Sequence, residues 1–285
     1  YRQYIFPDEK RYMIFRASRS ERVERELMAY YYTPRLFATD LRFSAEAKNW
    51  VTGKPSYYGI GINSKRGNRA NYAIDMTGEE VTLDVPLISH LFINFDHSFY
   101  TKRVVDGPVE SGALETLLSA SDYSTATNAH KFHTNMFSLV YDDTDHPFLP
   151  KIGTYAIASV LYSNRVLGSD YEYRMYTFQV KNYYNYKEEG RFVTAAHYML
   201  QFQRGQDLPF YALPKLGEST GLRMTGDGRF TDRGKFVFTL EERITLSRTP
   251  FLKKFISEVE VAPFLDVGTV FDKPSDFRAR DLKYG

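Results

Sequence analysis

The chain has 285 residues, no cysteine and a formal net charge of +2, from 37 lysines and arginines against 35 aspartates and glutamates. The lack of cysteine excludes disulfide scaffolds, thiol catalysis and cysteine-ligated metal centres, and the near-neutral charge gives no electrostatic reason to expect nucleic acid as a partner. The longest apolar run, Leu27–Tyr32, is far shorter than the roughly 18 residues that a membrane-spanning helix needs. A helical membrane protein is therefore excluded, whereas a membrane β-barrel is not.

Apolar and polar residues alternate with a period of two in several segments, which is the pattern of β-strands. In chain order these segments are 40–48, 69–76, 82–100, 192–203, 235–246 and 258–267. No helical window of comparable length competes with them. Strand phase is weak in residues 1–55, so strand boundaries there are poorly defined by sequence.

The length of these segments separates two kinds of all-β protein. Many run for about 9–16 residues, longer than the roughly 5–6 of soluble strands and close to the 9–11 that cross a bilayer at a tilt. Phe, Tyr and Trp make up 16% of the chain, and they cluster at segment ends, as aromatic girdles do. Examples are 30–32, 57–58, 99–100 and 183–184. The pattern predicts a transmembrane antiparallel β-barrel rather than a soluble sandwich.

Connections between the segments differ in length. Residues 187–190 read as a tight polar turn, whereas 106–131 and 206–234 are long and poorly periodic. Outer-membrane barrels have short turns at one end and long loops at the other. Because no linker-like stretch divides the chain, residues 1–285 are predicted to form one barrel domain.

From residue 57 onward the chain resembles the BamA/TamA family of outer-membrane barrels. Four stretches in order carry the resemblance: Tyr57-Tyr58-Gly59-Ile60-Gly61 with Ser64 and Asn71-Tyr72, then 141–150 with Gly153, then 216–232, then Phe264-Leu265-Asp266-Val267-Gly268-Thr269-Val270-Phe271. Any one of these motifs is weak evidence, but four in the family's order are specific.

The resemblance implies a bacterial outer-membrane location and a barrel of sixteen strands. At about 20 residues per strand and connection, this chain would hold about 12–14 of them. The barrel is therefore expected to be incomplete at both ends of the sequence, and no periplasmic POTRA domain is visible in it.

The resemblance also implies an internal latch. In the family, a long loop folds back into the lumen and its arginine meets the F-x-D motif on the wall, which points to Arg223, Phe264 and Asp266 here. The alternation independently places Phe264 and Asp266 on the polar face, and a guanidinium suits a carboxylate and a ring together. The remaining predicted latch and lumen residues are Glu241, Arg243, Arg229 and Asp232. The alternative is that Arg223 is an ordinary solvated loop arginine.

Two of the motifs depart from the family's pattern. Met224-Thr225 stands where the family has glycine and an aromatic residue, and Thr144 stands where it has an arginine. These changes bear on the loop chemistry and not on the fold.

The resemblance implies insertion or translocation of proteins at the outer membrane, with membrane lipid and other assembly subunits as partners. An outer-membrane anchor or accessory platform without insertase activity, and a passive porin, are the alternatives. No enzyme, cofactor, nucleotide or metal is predicted. Residues 217–221 match G-x-S-x-G without the strand–turn–helix context of a hydrolase, and His130 and His133 fit no standard metal spacing.

Overall fold

The computed structural model describes residues 2–6, 11–20, 24–107, 114–186, 191–251 and 255–285, so the predicted turn at 187–190 lies outside the described residues. Its strands are β1 Arg2–Phe6, β2 Arg11–Ser20, β3 Glu24–Thr33, β4 Arg42–Thr52, β5 Ser56–Tyr57, β6 Ala70–Ile88, β7 Leu91–Asp106, β8 His130–Asp142, β9 Gly153–Ser163, β10 Tyr173–Asn185, β11 Phe192–Gly205, β12 Lys215–Leu216, β13 Phe230–Thr231, β14 Gly234–Phe251, β15 Phe255–Val261, β16 Phe264–Phe271 and β17 Lys283–Tyr284. One α-helix, α1 at Ala120–Thr127, and short 3-10 turns at Leu36–Ala38, Leu114–Thr116, Arg165–Leu167, Phe210–Ala212, Glu218–Thr220, Pro274–Asp276 and Ala279–Asp281 accompany them.

Nearly all strands belong to one antiparallel sheet in which sequence neighbours pair. Its order is β1-β2-β3-β4-β6-β7-β8-β9-β10-β11-β14-β16-β17, with β5 beside β6 and β15 beside β14. This path holds thirteen strands of the described chain, within the predicted range, and the all-β antiparallel prediction is confirmed. Of the strands that the structure describes, only β12 and β13 stand apart, as a separate hairpin.

Long strand β14 is paired along its length by two shorter strands. Residues 234–241 of β14 pair with β16, and residues 244–251 pair with β15. Pro263 lies in the break between β15 and β16, where its missing N–H costs no ladder bond. Its carbonyl instead accepts the Glu242 N–H at 3.0 Å.

The two faces of the sheet differ in chemistry. We define the inner face as the one on which residues 206–233 lie. Outer-face apolar side chains such as Phe178, Leu200 and Tyr198 are 49%, 37% and 46% exposed, as the lipid-facing band of a barrel requires. Some inner-face charges pair with one another, as in the 3.4 Å contact between Lys48 Nζ and Glu26 Oε1.

Near the long connections the inner face becomes apolar. Tyr72, Phe132 and Tyr173 are buried there against Phe210 of the 206–233 connection and Ala126 of α1. At these strand ends apolar side chains therefore point inward and polar ones such as Arg174 point outward. This is the reverse of the arrangement farther along the same strands, so no single period-two phase runs through a whole strand. This explains why β8, β9 and β10 are not among the alternating segments, and why the apolar residues of segment 69–76 point inward.

Among the described residues, helical structure is confined to α1 and the 3-10 turns. Within the part of the chain that the structure describes, no helix is long and apolar enough to cross a membrane.

Candidate functional site

The connection between β11 and β14, residues 206–233, folds back over the inner face of the sheet; we call it the inner loop. Its hairpin β12–β13 pairs Lys215 with Thr231 and Leu216 with Phe230. The Gly61 N–H donates to the Thr231 carbonyl at 2.8 Å, which ties the hairpin to the 53–69 connection.

Apolar side chains anchor the inner loop to the wall. Leu216 and Leu222 are fully buried and Phe230 nearly so, against Val237 on β14 and Val270 on β16. Full burial of one such side chain contributes about 1.5–3 kcal/mol. The loop is thereby held beside the strands that carry the predicted latch residues.

Arg223 of the inner loop is held by the carboxylate of Asp266 on β16. Its Nε and Nη2 donate to Asp266 Oδ2 and Oδ1 at 3.0 and 2.9 Å, and its backbone N–H donates to Oδ2 at 2.9 Å. Asp266 is fully buried, so the backbone and the guanidinium together supply the partners that a buried carboxylate needs.

Two further wall residues complete the contact with Arg223. The guanidinium carbon lies 3.6 Å from the centre of the Phe264 ring, and Nη1 donates to Glu241 Oε2 at 2.5 Å. The hydrogen bonds to Asp266 raise the pKa of the Arg223 guanidinium, with those to Glu241 adding to the effect. The arginine thus stays charged while it is bracketed by a ring and two carboxylates.

Arg243 continues this polar chain toward the short-turn end of the sheet. Its Nε donates to Glu241 Oε1 at 2.8 Å, and its Nη1 donates to the Pro150 carbonyl at 3.2 Å. Its guanidinium lies 5.6 Å from the Tyr183 ring centre. Tyr183 therefore faces inward while Tyr184 is exposed, because adjacent strand residues point to opposite faces, so only Tyr184 can belong to an outer girdle.

The stretch 141–150, the second of the four that resemble the family, forms the turn whose Pro150 carbonyl accepts the bond from Arg243. Thr144, which replaces the family's arginine, donates from Oγ1 to Asp142 Oδ1 at 2.6 Å. Asp145 Oδ1 accepts the Lys151 N–H at 2.8 Å. These bonds close the 143–152 turn beneath Arg243.

Arg229 and Asp232, also predicted for the latch, make their contacts elsewhere. Arg229 donates to the Ser64 hydroxyl and carbonyl at 2.8 and 2.7 Å and lies 5.0 Å from the Tyr58 ring centre. Asp232 is buried and accepts the Arg233 N–H at 2.8 Å. The structure therefore brings together Arg223, Asp266, Phe264, Glu241 and Arg243. Arg229 instead links the inner loop to the 53–69 connection, and the hydrogen bond of Asp232 stays within the inner loop.

The inner loop has one polar anchor that sequence reasoning missed. The Lys215 ammonium donates to the Tyr72 hydroxyl on β6 and lies over its ring at 5.1 Å. The two residues are 143 positions apart, and Lys215 lies in no recognisable motif, so no sequence signal could pair them. Because β6 and β16 are distant in the strand order, Lys215 and Arg223 fasten the inner loop to two separate parts of the wall.

We expect Lys215 to make stability depend on pH. Burial lowers the pKa of Lys215 to about 8 from 10.5, so the unfolded chain binds the extra proton between these values. Stability should therefore rise by about 1–2 kcal/mol as pH increases from 8 to 10, and Lys215→Met should abolish that rise. The unfolding midpoint, read from heat-modifiable gel mobility, measures it.

Lys54 supplies the matched control, because it is 76% exposed and its ammonium lies 3.6 Å from Glu24 Oε1. Lys54→Met should keep the wild-type pH dependence. Parallel pH profiles for wild type and Lys215→Met would contradict the assignment to Lys215.

The other candidate chemistries are not supported by the local structure. Residues 217–221 form a 3-10 turn in which Ser219 donates to Asp227, without the strand–turn–helix geometry of a nucleophile elbow. Among the described residues, no three or more His, Cys, Asp or Glu side chains form a group suited to a metal ion.

Comparison with known proteins shows which fold and family this chain resembles. A search of curated proteins finds no match. The fold is similar to that of BamA from Haemophilus ducreyi lacking POTRA domains 1–3, with a TM-score of 0.68 and 15% identity over 95% of this chain. The match covers 54% of that BamA chain, so the present chain spans about half its length.

This structural match confirms the barrel prediction. The family model for the Omp85 superfamily domain matches residues 11–283, nearly the whole chain. Barrels of that family reside in outer membranes and are in general non-enzymatic assembly factors. The chain belongs to the Omp85 superfamily.

Proposed function

We propose that this barrel inserts or translocates proteins at a bacterial outer membrane and that its inner loop acts as a releasable latch. The observation that carries the proposal is the set of hydrogen bonds from Arg223 to Asp266 and Glu241. The buried carboxylate of Asp266 is satisfied only while the inner loop holds Arg223 against it. Partly released positions of the loop would leave these polar groups half-satisfied, which is costly, so the docked and released loop are two distinct states. Membrane lipid and other assembly subunits are the proposed partners.

The position of the latch explains how its release could matter. Arg223 contacts β14 and β16 together, and Asp266 also exchanges backbone hydrogen bonds with Gly285, at 3.1 and 2.9 Å. Release of the inner loop would remove a brace from these strands and clear the space over the inner face. The free energy for such a cycle would come from folding of the inserted protein, which requires no nucleotide.

One observation favours a platform without insertase activity. Met224, which stands at the family's glycine position beside the arginine, is 73% exposed, and the neighbouring Thr225 only bonds back to the Leu222 carbonyl at 2.9 Å. The loop thus lacks the aromatic contact that the motif normally supplies. A platform would keep the latch permanently closed.

A reversible lock tests the proposal. The Cβ of Met224 lies 3.4 Å from a Cβ built on Gly285, close to the roughly 3.5–4.5 Å of a disulfide, and none of the 285 residues is a cysteine that could interfere. We expect Met224→Cys with Gly285→Cys, reconstituted in liposomes, to accelerate folding of a urea-denatured outer-membrane barrel when reduced. Oxidation should abolish the acceleration and reductant should restore it. Each single variant is the control.

Three outcomes would contradict the proposal in different ways. Equal acceleration by the locked and reduced forms would show that the latch is not released during function. No acceleration by wild type would favour the platform. Steady ion conductance in planar bilayers, with no acceleration, would favour the porin.

A further inference from the structure

The outer face of β9, β10 and β11 carries a basic depression near the long connections. It has a volume of about 610 Å³ and is lined by Arg165, Arg174 and Arg204 together with Tyr162 and Tyr176. All three arginines are exposed. Arg174 and Arg204 lie on the same face as the lipid-band residue Phe178, because their strand positions share its parity in the paired register.

Strand pairing arranges this surface in three rows. The top row is Tyr162, Arg174 and Arg204; the middle row is Val160, Tyr176 and Phe202; the bottom row is Ala158, Phe178 and Leu200. In the middle row the Tyr176 and Phe202 rings stack at 4.9 Å. Passing from the bottom row to the top, the surface changes from apolar to aromatic to cationic, in the order of acyl chains, interface and headgroups in a bilayer leaflet.

Arginines 174 and 204 are direct cross-strand partners, and like charges in that relation destabilise a sheet. Among the described side chains, no carboxylate lies within 4 Å of any of the three guanidinium groups to form an ion pair. Glu172 and Asp207 line the same depression without reaching them. The repulsion is therefore left for an external anion to relieve.

We propose that this depression binds the phosphate of a membrane-lipid headgroup, with Arg174 and Arg204 as a paired clamp and Arg165 above them. Planar guanidinium forks match phosphate oxygens better than ammonium groups do, the stacked rings suit the interfacial level, and Phe178 and Leu200 are placed to contact the acyl chains. The proposal requires that the barrel lies in a membrane, and it is independent of whether the barrel inserts proteins.

A second arginine pair on the same face provides a matched control. Arg19 on β2 and Arg25 on β3 are also direct cross-strand partners at the same end of the sheet, and both are exposed. The row beneath them is Ala17 and Leu27, without a stacked aromatic pair, and neither lines the described depression. Removing this pair changes the net charge equally.

The test compares lipid retention by the folded full chain. The protein is reconstituted in phosphatidylcholine nanodiscs with a few mole per cent of dioleoylphosphatidic acid, or of dioleoylglycerol, which has the same acyl chains and no phosphate. Lipid retained on the protein is then counted by native mass spectrometry. We expect the phosphate-bearing lipid to be retained preferentially by wild type, and R174Q/R204Q to reduce that retention about fivefold while R19Q/R25Q changes it less than about twofold.

Each other outcome overturns the proposal. Equal losses in both double variants would indicate general charge attraction, and equal retention of the two lipids would remove the phosphate from the interaction. Complete displacement by millimolar inorganic phosphate would identify free phosphate as the ligand instead of lipid. Heat-modifiable mobility verifies folding of each variant, and if R174Q/R204Q does not fold, R165Q must lower retention by itself.

Discussion

Replacing Asp266 with alanine is expected to lower the free energy of unfolding of the barrel by about 3 kcal/mol. Removing one partner of a buried ion pair costs about 3–5 kcal/mol because the other charge stays uncompensated. The lower end applies here, since the Arg223 side chain is 36% exposed and can be rehydrated, and since Glu241 remains beside it. The measurement is the midpoint of heat-modifiable gel mobility, together with the folded yield.

Asp96 on β7 is the appropriate comparison for Asp266. It is another inner-face carboxylate, but the Thr82 hydroxyl donates to it at 2.6 Å and no arginine is bound to it in the described structure. Asp96→Ala should cost only about 1 kcal/mol, as expected for one neutral donor. If the two variants unfold at the same midpoint, the Arg223–Asp266 contact does not stabilise the barrel.

The second large effect is expected at Gly221, where the inner loop packs directly against Val237 of the wall. Gly221 has φ of +123°, and an added Cβ would lie 2.5 Å from Val237 Cγ1. Gly221→Ala therefore combines backbone strain with overpacking, at about 2–4 kcal/mol in total. We expect the inner loop to undock, so that trypsin cleaves after Lys215 or Arg223 in folded protein.

Gly67 tests whether the effect is local. It lies in the 53–69 connection with nothing within 4 Å of a built Cβ, so Gly67→Ala should leave the digestion pattern of the inner loop unchanged. Equal protection of the inner loop in wild type and Gly221→Ala would show that the glycine is not needed for docking. Of the two glycines in the G-x-S-x-G match, Gly221 is thus explained by close approach to the wall, whereas a Cβ on Gly217 would lie 2.5 Å from the Gly226 carbonyl oxygen within the inner loop itself.

Much of the fold could be predicted from sequence because lipid and lumen impose opposite demands on alternate residues. Segment 235–246 corresponds to β14 and segment 192–203 to β11, each within a few residues of the observed bounds. β8 to β10 could be inferred only from chain length. Their inner ends pack under the connections, so residues such as Phe132 and Tyr173 place apolar groups on the face that is polar elsewhere.

Within the candidate site, sequence supplied the residues that lie in motifs and the structure supplied their partners. Arg223, Phe264 and Asp266 could be brought together by the resemblance and by strand parity, because parity fixes which face a strand residue occupies. Glu241 and Arg243 could be placed on that same face. Neither the bond of Arg243 to the Pro150 carbonyl nor the separation of Arg229 from the latch could be anticipated, since both depend on how turns and loops fold.

Sequence alone determined that this protein is a cysteine-free, aromatic-rich barrel with alternating faces, because a period of two and strand length are local properties of the chain. Only the tertiary structure decided where the inner loop is fastened. Lys215 meets Tyr72 across 143 positions, and Arg174 meets Arg204 through register between β10 and β11. Such contacts depend on which strands become neighbours and on how a long loop returns across them, and no local pattern encodes either.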